Sequence, residues 1–239
     1  MATAASLNPK PAKAVKAHRL PPGAPVPQAQ SASGIPGYTL VYEIRATCTI
    51  ISRGKQKVVF QGDGAWTNNK VISLPAVAAT ATYDTYTARV MRGYANHEAG
   101  HCRYTDFERL RVEMEKIKAI APHPSKEDVV QSIHKSLTNI FEDKRLESMI
   151  MKDFPGTPRD NLAAVRDYVT KRNLQRVNED RAKAEDPAKA KSALQRYGVI
   201  NVLYDAFIQI CTISNGYPCS GMNAQIVEVL REFDPETVA

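Results

Sequence analysis

The 239-residue sequence predicts an α+β fold in which a small, mostly antiparallel sheet is followed by a helical C-terminal half. Residues 38–75 contain β-branched and aromatic runs separated by short turns, which is typical of strands. Beyond Asp84, apolar residues recur at helical spacing between capping residues and prolines. Residues 1–37 hold seven of the fifteen prolines, so we expect a disordered basic arm there, followed by a single domain over residues 38–239.

The predicted sheet consists of two hairpins. Residues 38–52, "YTLVYEIRATCTIIS", are predicted as a strand, and residues 57–61 as the strand that returns beside it after the turn "RGKQ". The second hairpin is expected within residues 65–75, with Asn68 and Asn69 at its tip.

The helical region, residues 84–239, is predicted to begin with a helix over residues 84–104. Thr105 and Glu108 match a capping box, which places a break at Thr105 and starts a new helix. The further elements expected are helices over residues 105–121, 125–153 and 160–176, a charged connector over 178–191, an apolar helix over 192–210 that packs on the core, and a short last helix that ends near Phe233.

Charge and cysteine content exclude several classes of protein. Four of the seven excess positive charges lie in the arm, which leaves 28 basic against 25 acidic residues in the rest, so nucleic-acid binding is expected only through the arm. No apolar run approaches the roughly 18 residues of a membrane span. The four cysteines form no CxxC pair, and we expect reduced thiols in a cytoplasmic protein.

The stretch "HEAGH", residues 97–101, is the main candidate for chemistry. Positions four apart lie on one face of a helix, so His97 and His101 present two imidazoles to one ion. Glu98 is rotated by about 100° from His97 and flanks that ion without having to bind it. This arrangement is typical of zinc peptidases, in which the carboxylate takes a proton from an activated water. The alternative is a surface helix with solvated side chains.

A catalytic zinc usually has three protein ligands and a water, so a third ligand is required. One subclass of HExxH proteins has Gly and His three and six residues after the second histidine, but these positions are Tyr104 and Phe107 here. Asp106 fits the first turn of the next helix. His123 and His134 are interpreted as surface residues.

The remaining candidates for the third ligand are the carboxylates of "NIFEDKRLE", residues 139–147. Glu142 shares a helical face with Leu146, so it points partly inward, where it needs a metal or a cation such as Arg145. Asp143 and Glu147 stand one turn apart, as on a solvated, salt-bridged face. Glu142 is therefore the predicted third ligand, Glu147 is the second choice, and Asp143 is an alternative or supporting residue.

The segments "RGYANHEAGHCRYTDF", "LTNIFEDKRLE" and "FPGTPRDNL" resemble the HExxH metallopeptidase-like domain of phage and bacterial proteins that are often labelled as resembling a cobaltochelatase subunit. The resemblance covers about residues 38–162. It implies a gluzincin-like zincin fold with a sheet over an active-site helix and a second, glutamate-bearing helix. It further implies zinc at His97, His101 and Glu142, Glu98 as general base, and Arg145 and Glu147 in support.

Members of that group usually carry a von Willebrand factor A domain further along. The sequence contains no Asp-x-Ser-x-Ser signature, so we expect that domain to be absent. Roles that depend on docking to an ATPase through that domain therefore do not follow. If the protein is phage-encoded, its expected location is the host cytoplasm.

The sequence thus favours a zinc-dependent metallopeptidase with a peptide or protein substrate. The substrate would lie by strand addition along an edge strand, for which "KVISL", residues 70–74, is the candidate. Tyr94 and Tyr104 are candidates for stabilising the oxyanion. The alternative function is a non-catalytic zincin-fold protein that binds a partner or serves as a phage or bacterial scaffold, with structural or vestigial zinc.

Overall fold

The computed structural model describes residues 34–54, 56–120, 127–183 and 215–216. The predictions for the arm up to residue 33, for the 192–210 helix and for the last helix lie outside the described residues. The α+β class is confirmed. The elements of the described part are β1 (Ile35–Pro36), α1 (Gly37–Ser52), β2 (Lys57–Phe60), β3 (Trp66–Thr67), β4 (Val71–Leu74), β5 (Thr82–Tyr83), α2 (Thr85–Tyr104), α3 (Phe107–Ile120), α4 (Glu127–Asp153) and α5 (Thr157–Lys183).

The first predicted strand is wrong, because residues 37–52 form helix α1. The buried side chains Leu40, Ile44, Cys48 and Ile51 recur every three or four residues and form one apolar face. Burial of this face against the core outweighs the strand preference of the β-branched residues between its members. For residues 37–52, the spacing of the apolar residues therefore indicates the element better than the content of β-branched residues does.

The three-stranded sheet has the order β2-β4-β3, so the hairpin predicted between residues 38–52 and 57–61 does not exist. β2 pairs with β4 in parallel, and only β3 and β4 form the predicted antiparallel hairpin. The Asn68 side chain closes the tip of that hairpin by accepting from the Val71 N–H at 2.9 Å. Asn69 there adopts a left-handed conformation, with a φ of 67°. A second, two-stranded antiparallel sheet joins β1 and β5.

Helix α2 is the centre of the fold, and its predicted span over residues 84–104 is confirmed. Asp84 caps its first turn by accepting from the N–H and the hydroxyl of Thr87, at 2.9 and 2.7 Å. The helix packs against α1, α4 and α5 and also contacts β3 and β4. Its polar residues Asn96, Glu98 and His101 are therefore buried.

The next helix starts at Phe107, one residue later than a cap at Thr105 would place it, because Asp106 caps it. The Asp106 carboxylate accepts from the Arg109 N–H at 2.9 Å, and Glu108 forms an ion pair with Arg111 instead of closing a capping box. Helix α5 likewise continues to Lys183, into the predicted connector. No helix among the described residues has the length and hydrophobicity needed to cross a membrane.

Two glycines of α2 allow its neighbours to approach closely. A Cβ at Gly93 would collide with the backbone carbonyl of Asn161 on α5, and a Cβ at Gly100 would collide with the side-chain ends of Ile150 and Leu146 on α4. Close packing at Gly100 brings α4 against the face of α2 that carries the HEAGH histidines.

We expect Gly93→Ala to destabilise the fold by up to about 2 kcal/mol. Alanine gains about 1 kcal/mol of helix propensity at either glycine, but overpacking costs about 1–3 kcal/mol where the neighbour cannot move. The Asn161 carbonyl belongs to a helix backbone, whereas the Ile150 methyl can rotate away. Gly100→Ala is therefore the matched variant and should be less destabilised when both are measured by urea unfolding. Equal stabilities would contradict the backbone collision.

Candidate metal centre

Helices α2 and α4 bring three potential ligand atoms together. Nε2 of His97 lies 3.2 Å from Nε2 of His101. Oδ1 of Asp143 lies 3.5 Å from the first of these nitrogens and 3.3 Å from the second. His101 and Asp143 are both buried. The described residues thus contain a candidate metal-binding triad of two histidines and one aspartate.

Asp143, and not Glu142, is the carboxylate that faces the two imidazoles. The buried residues of this part of α4 are Asp143, Leu146, Glu147 and Ile150, which recur at the spacing of one helical face. That face packs against Gly100. Glu142 is one position out of phase with it and lies outside the triad, so the structure brings Asp143, and not the predicted Glu142, to the two histidines.

Glu147 contacts the His97 imidazole at the ring nitrogen that faces away from the triad, and Arg166 contacts Glu147. Oε1 of Glu147 lies 2.9 Å from Nδ1 of His97, and Arg166 on α5 donates to the same carboxylate at 2.6 Å. Burial favours a raised pKa of Glu147, but Arg166 and the His97 contact hold that pKa below its usual value. The carboxylate therefore accepts the Nδ1 proton of His97, so that the neutral imidazole directs its Nε2 lone pair at the triad.

The His101 imidazole is held by a second chain of contacts. Thr105 Oγ1 lies 2.9 Å from Nδ1 of His101 and donates its own proton to Oε1 of Glu142. Arg145 donates to both oxygens of Glu142, at 2.7 Å each, and to the carbonyl of Tyr104. Since the threonine hydroxyl donates to the carboxylate, it must accept from Nδ1 of His101. The second imidazole thus also directs an Nε2 lone pair at the triad.

Two imidazole nitrogens and an ionised oxygen converge on one point, so the triad requires a cation there, either a metal ion or a proton carried by a histidine. Burial favours a lowered pKa of His97, yet Asp143 and Glu147 raise it to about 10. Burial likewise favours a raised pKa of Asp143, which the two histidines hold well below its usual range. In the absence of metal, a proton on His97 meets this requirement.

Glu98 lies beside the triad with a free carboxylate oxygen. Its side chain is buried, and Oε2 has no hydrogen-bond partner among the described residues. Burial raises the pKa of Glu98, and the nearby histidines oppose that shift. A buried carboxylate with a raised pKa next to a candidate metal site is suited to accepting and releasing a proton.

The separations in the triad fit zinc. Zinc bonds to imidazole nitrogen and carboxylate oxygen are about 2.0–2.1 Å long, so a tetrahedral ion holds its donor atoms about 3.3 Å apart. The three observed separations lie between 3.2 and 3.5 Å. Charge agrees with this fit at Asp143, because the two histidines hold its pKa well below its usual range and it is therefore ionised.

The two tyrosines considered for the oxyanion are placed in other roles. Tyr94 belongs to the hydrophobic core, and its burial raises the pKa of its phenol. The Tyr104 hydroxyl donates to Asp153 at 2.7 Å. Sequence reasoning missed Arg166 and the Thr105 side chain. Nothing in the sequence around Arg166 indicates its role. Thr105 stands four residues after His101, which is about one helical turn, so its side chain could have been expected near that imidazole.

The chain was compared with protein-family models, curated proteins and solved structures, and none of them matches it. The geometry of the triad and of the groups around it is therefore the basis for assigning a function.

Proposed function

We propose that this protein is a zinc-dependent peptidase whose metal is held by His97, His101 and Asp143. The observation that carries the proposal is the convergence of three lone-pair donors at 3.2–3.5 Å, each imidazole fixed by its own hydrogen-bond chain. A surface pair of solvated histidines has no reason to converge in this way, and burying the three groups is costly unless a cation joins them.

The donor set favours zinc over other divalent ions. Two imidazoles and one carboxylate suit zinc or ferrous iron, whereas magnesium and calcium prefer oxygen ligands. Glu98 distinguishes these options, because a buried carboxylate next to the metal serves hydrolysis and has no role in binding dioxygen. Three protein ligands also leave a position for water, as in catalytic zinc sites.

In the proposed reaction Glu98 moves the protons. Bound zinc would supply Lewis-acid activation of the water and of the scissile carbonyl. Glu98 accepts a proton from the attacking water, whose oxygen forms a bond to the carbonyl carbon. The carboxyl then delivers this proton to the amide nitrogen as the C–N bond breaks, which yields a carboxylic acid and an amine. Glu147 and Thr105 keep the imidazoles in place throughout.

The substrate strand predicted along residues 70–74 must be reassigned, because β4 lies in the middle of the sheet and is paired on both sides. The edge strand that lies next to the candidate metal centre is β3. Its Thr67 hydroxyl lies 3.2 Å from Sγ of Cys102, the residue that follows the second histidine. An extended peptide added to the outer edge of β3 would therefore lie close to the metal ligands.

The proposed ligand set departs in one respect from the family that the sequence resembles. A gluzincin-like domain takes its third ligand from a glutamate, whereas the triad proposed here takes an aspartate at the neighbouring position. The HExxH helix and the second, carboxylate-bearing helix are common to both. The relationship to the cobaltochelatase-like phage and bacterial proteins is thus part of the proposal.

Metal content and cleavage together test the proposal. Purified protein should contain one zinc per chain by mass spectrometry of the metals, and it should cleave members of a peptide library. One iron per chain would contradict the choice of metal. One zinc per chain without cleavage of any peptide or protein would favour the assembly or binding protein with a structural metal.

Removal of the metal should destabilise the protein. A ligand at a hundredfold excess over its dissociation constant stabilises the folded state by about 2.7 kcal/mol, which is roughly 5–10 °C in melting temperature for a domain of this size. We therefore expect a chelator to lower the melting temperature by that amount and added zinc to restore it. His97→Ala serves as the control and should show neither change. An unchanged wild-type melting temperature after verified metal removal would contradict a site that is coupled to the fold.

A further inference from the structure

Strand β2 presents an open edge on the side of the sheet opposite to β3. β2 is paired only with β4 among the described strands. The Lys57 N–H donates to the Lys70 carbonyl at 3.1 Å and the Gln61 N–H to the Leu74 carbonyl at 2.8 Å. Backbone groups alternate in direction along a strand, so those of Val58 and Phe60 point away from β4. This edge can therefore accept a further strand.

The open edge borders a groove of about 470 Å³ between β2 and α1. Arg45 and Thr49 of α1 form one side, and residues 56–60 form the other. Val58, Val59 and Phe60 supply the apolar part of the lining. Backbone donors and acceptors therefore lie next to apolar surface, as in domains that bind extended peptides.

The charge of the groove is positive. Arg45 lies over the Phe60 ring, with its guanidinium carbon 5.7 Å from the ring centre, and no described carboxylate pairs with it or with Lys57. None of the residues that line the groove is acidic. A single lysine often protects an edge strand from aggregation, but Arg45 comes from a different element and faces the same groove. Two cations without acidic partners favour an acidic occupant.

We infer that this groove is a docking site for an extended, acidic peptide segment of a partner protein, which adds a strand to β2 and pairs its carboxylates with Arg45 and Lys57. The site is independent of the proposed peptidase activity, because it lies at the other edge of the sheet and uses none of the metal-site residues. The backbone edge favours a peptide over a nucleic acid, whose phosphates would meet the cations but could not pair with the strand.

Fluorescence anisotropy with the full chain tests this inference. The probe is a short fluorescein-labelled peptide of alternating valine and glutamate, compared with its valine–lysine counterpart. We expect only the acidic peptide to bind, and the double variant Arg45→Glu/Lys57→Glu to bind it about tenfold more weakly, because two attractive charges become repulsive. Arg89→Glu/Lys152→Glu, with the same change of charge on exposed residues elsewhere, should bind like the wild type.

Methylated peptides separate strand addition from simple charge attraction. Methylation of the valine amides in one probe and of the glutamate amides in another blocks opposite edges of the same strand. Only one of these two probes should lose binding. Equal binding of both probes, equal affinity of the double variant and the wild type, or binding of a single-stranded oligonucleotide in place of the peptide would each overturn the inference. Self-association of the chain that is abolished by Arg45→Glu/Lys57→Glu would also overturn it, since a second copy would then be the occupant.

Discussion

Asp143→Ala should abolish stoichiometric zinc binding, whereas Glu142→Gln should keep it. The two residues are neighbours on α4, but only Asp143 presents an oxygen to both imidazoles, at 3.5 and 3.3 Å. Glu142 acts on His101 only through Thr105. Loss of a group that orients a ligand typically costs about 10–100-fold in metal affinity, and loss of the ligand itself should exceed that.

The measurement is a zinc titration against a competing chromophoric chelator, with metal content determined after dialysis. Folding of Asp143→Ala is controlled by circular dichroism. If the variant keeps the helical signal of the wild type, loss of zinc reports loss of the ligand and not loss of the fold. The opposite outcome, with zinc retained in Asp143→Ala and lost in Glu142→Gln, would reinstate the ligand set that the resemblance implies.

The helices from α2 to α5 were largely predictable because their signals are local, whereas α1 was mistaken for a strand. Asp84 before α2 and the proline-glycine break after α4 mark helix ends by their own chemistry. The parallel pairing of β2 with β4 was not predictable in this way. It depends on residues 61–70, which place β3 on the opposite side of β4 from β2. Nothing in the sequences of β2 and β4 indicates this arrangement.

The sequence indicated part of the candidate site, and the difference at the third position has a physical origin. His97, Glu98 and His101 follow from spacing on a single helix, and the structure keeps them together. The third ligand depends on which face of α4 turns inward. Asp143 lies three residues before Leu146 and seven before Ile150, and both of these are fully buried. Choosing the carboxylate that shares a helical face with Leu146 and Ile150 would have selected Asp143.

The supporting residues differ in how well the sequence reveals them. Glu147 lies one turn after Asp143 on the same buried face, and its role as a supporting residue agrees with its contact to His97. Arg166 reaches Glu147 from α5, nineteen residues further along, where no spacing rule connects the two elements. Such a contact is decided by the packing of α2 against α5, which depends on Gly93 and on Asn161 opposite it.

Glu98→Gln should abolish hydrolysis and leave zinc bound. The amide has the shape of the carboxylate but cannot accept the proton of the attacking water, and loss of a general base typically costs about 10²–10⁴-fold in rate. The ligand atoms are on other residues, so metal content should stay at one zinc per chain. Both quantities are measured on the same preparation, with cleavage of the best library peptide followed by chromatography.

Glu108→Gln is the matched control, because it makes the same substitution at an exposed residue of α3 paired with Arg111. It should retain full activity. The comparison depends on burial, since Glu98 has only 4% of its surface exposed and a carboxylate oxygen with no hydrogen-bond partner among the described residues. If that oxygen had only a structural role, the neutral amide would fill the same space, and hydrolysis would continue at the wild-type rate. Unchanged cleavage by Glu98→Gln would therefore exclude Glu98 as the general base while leaving the metal site intact.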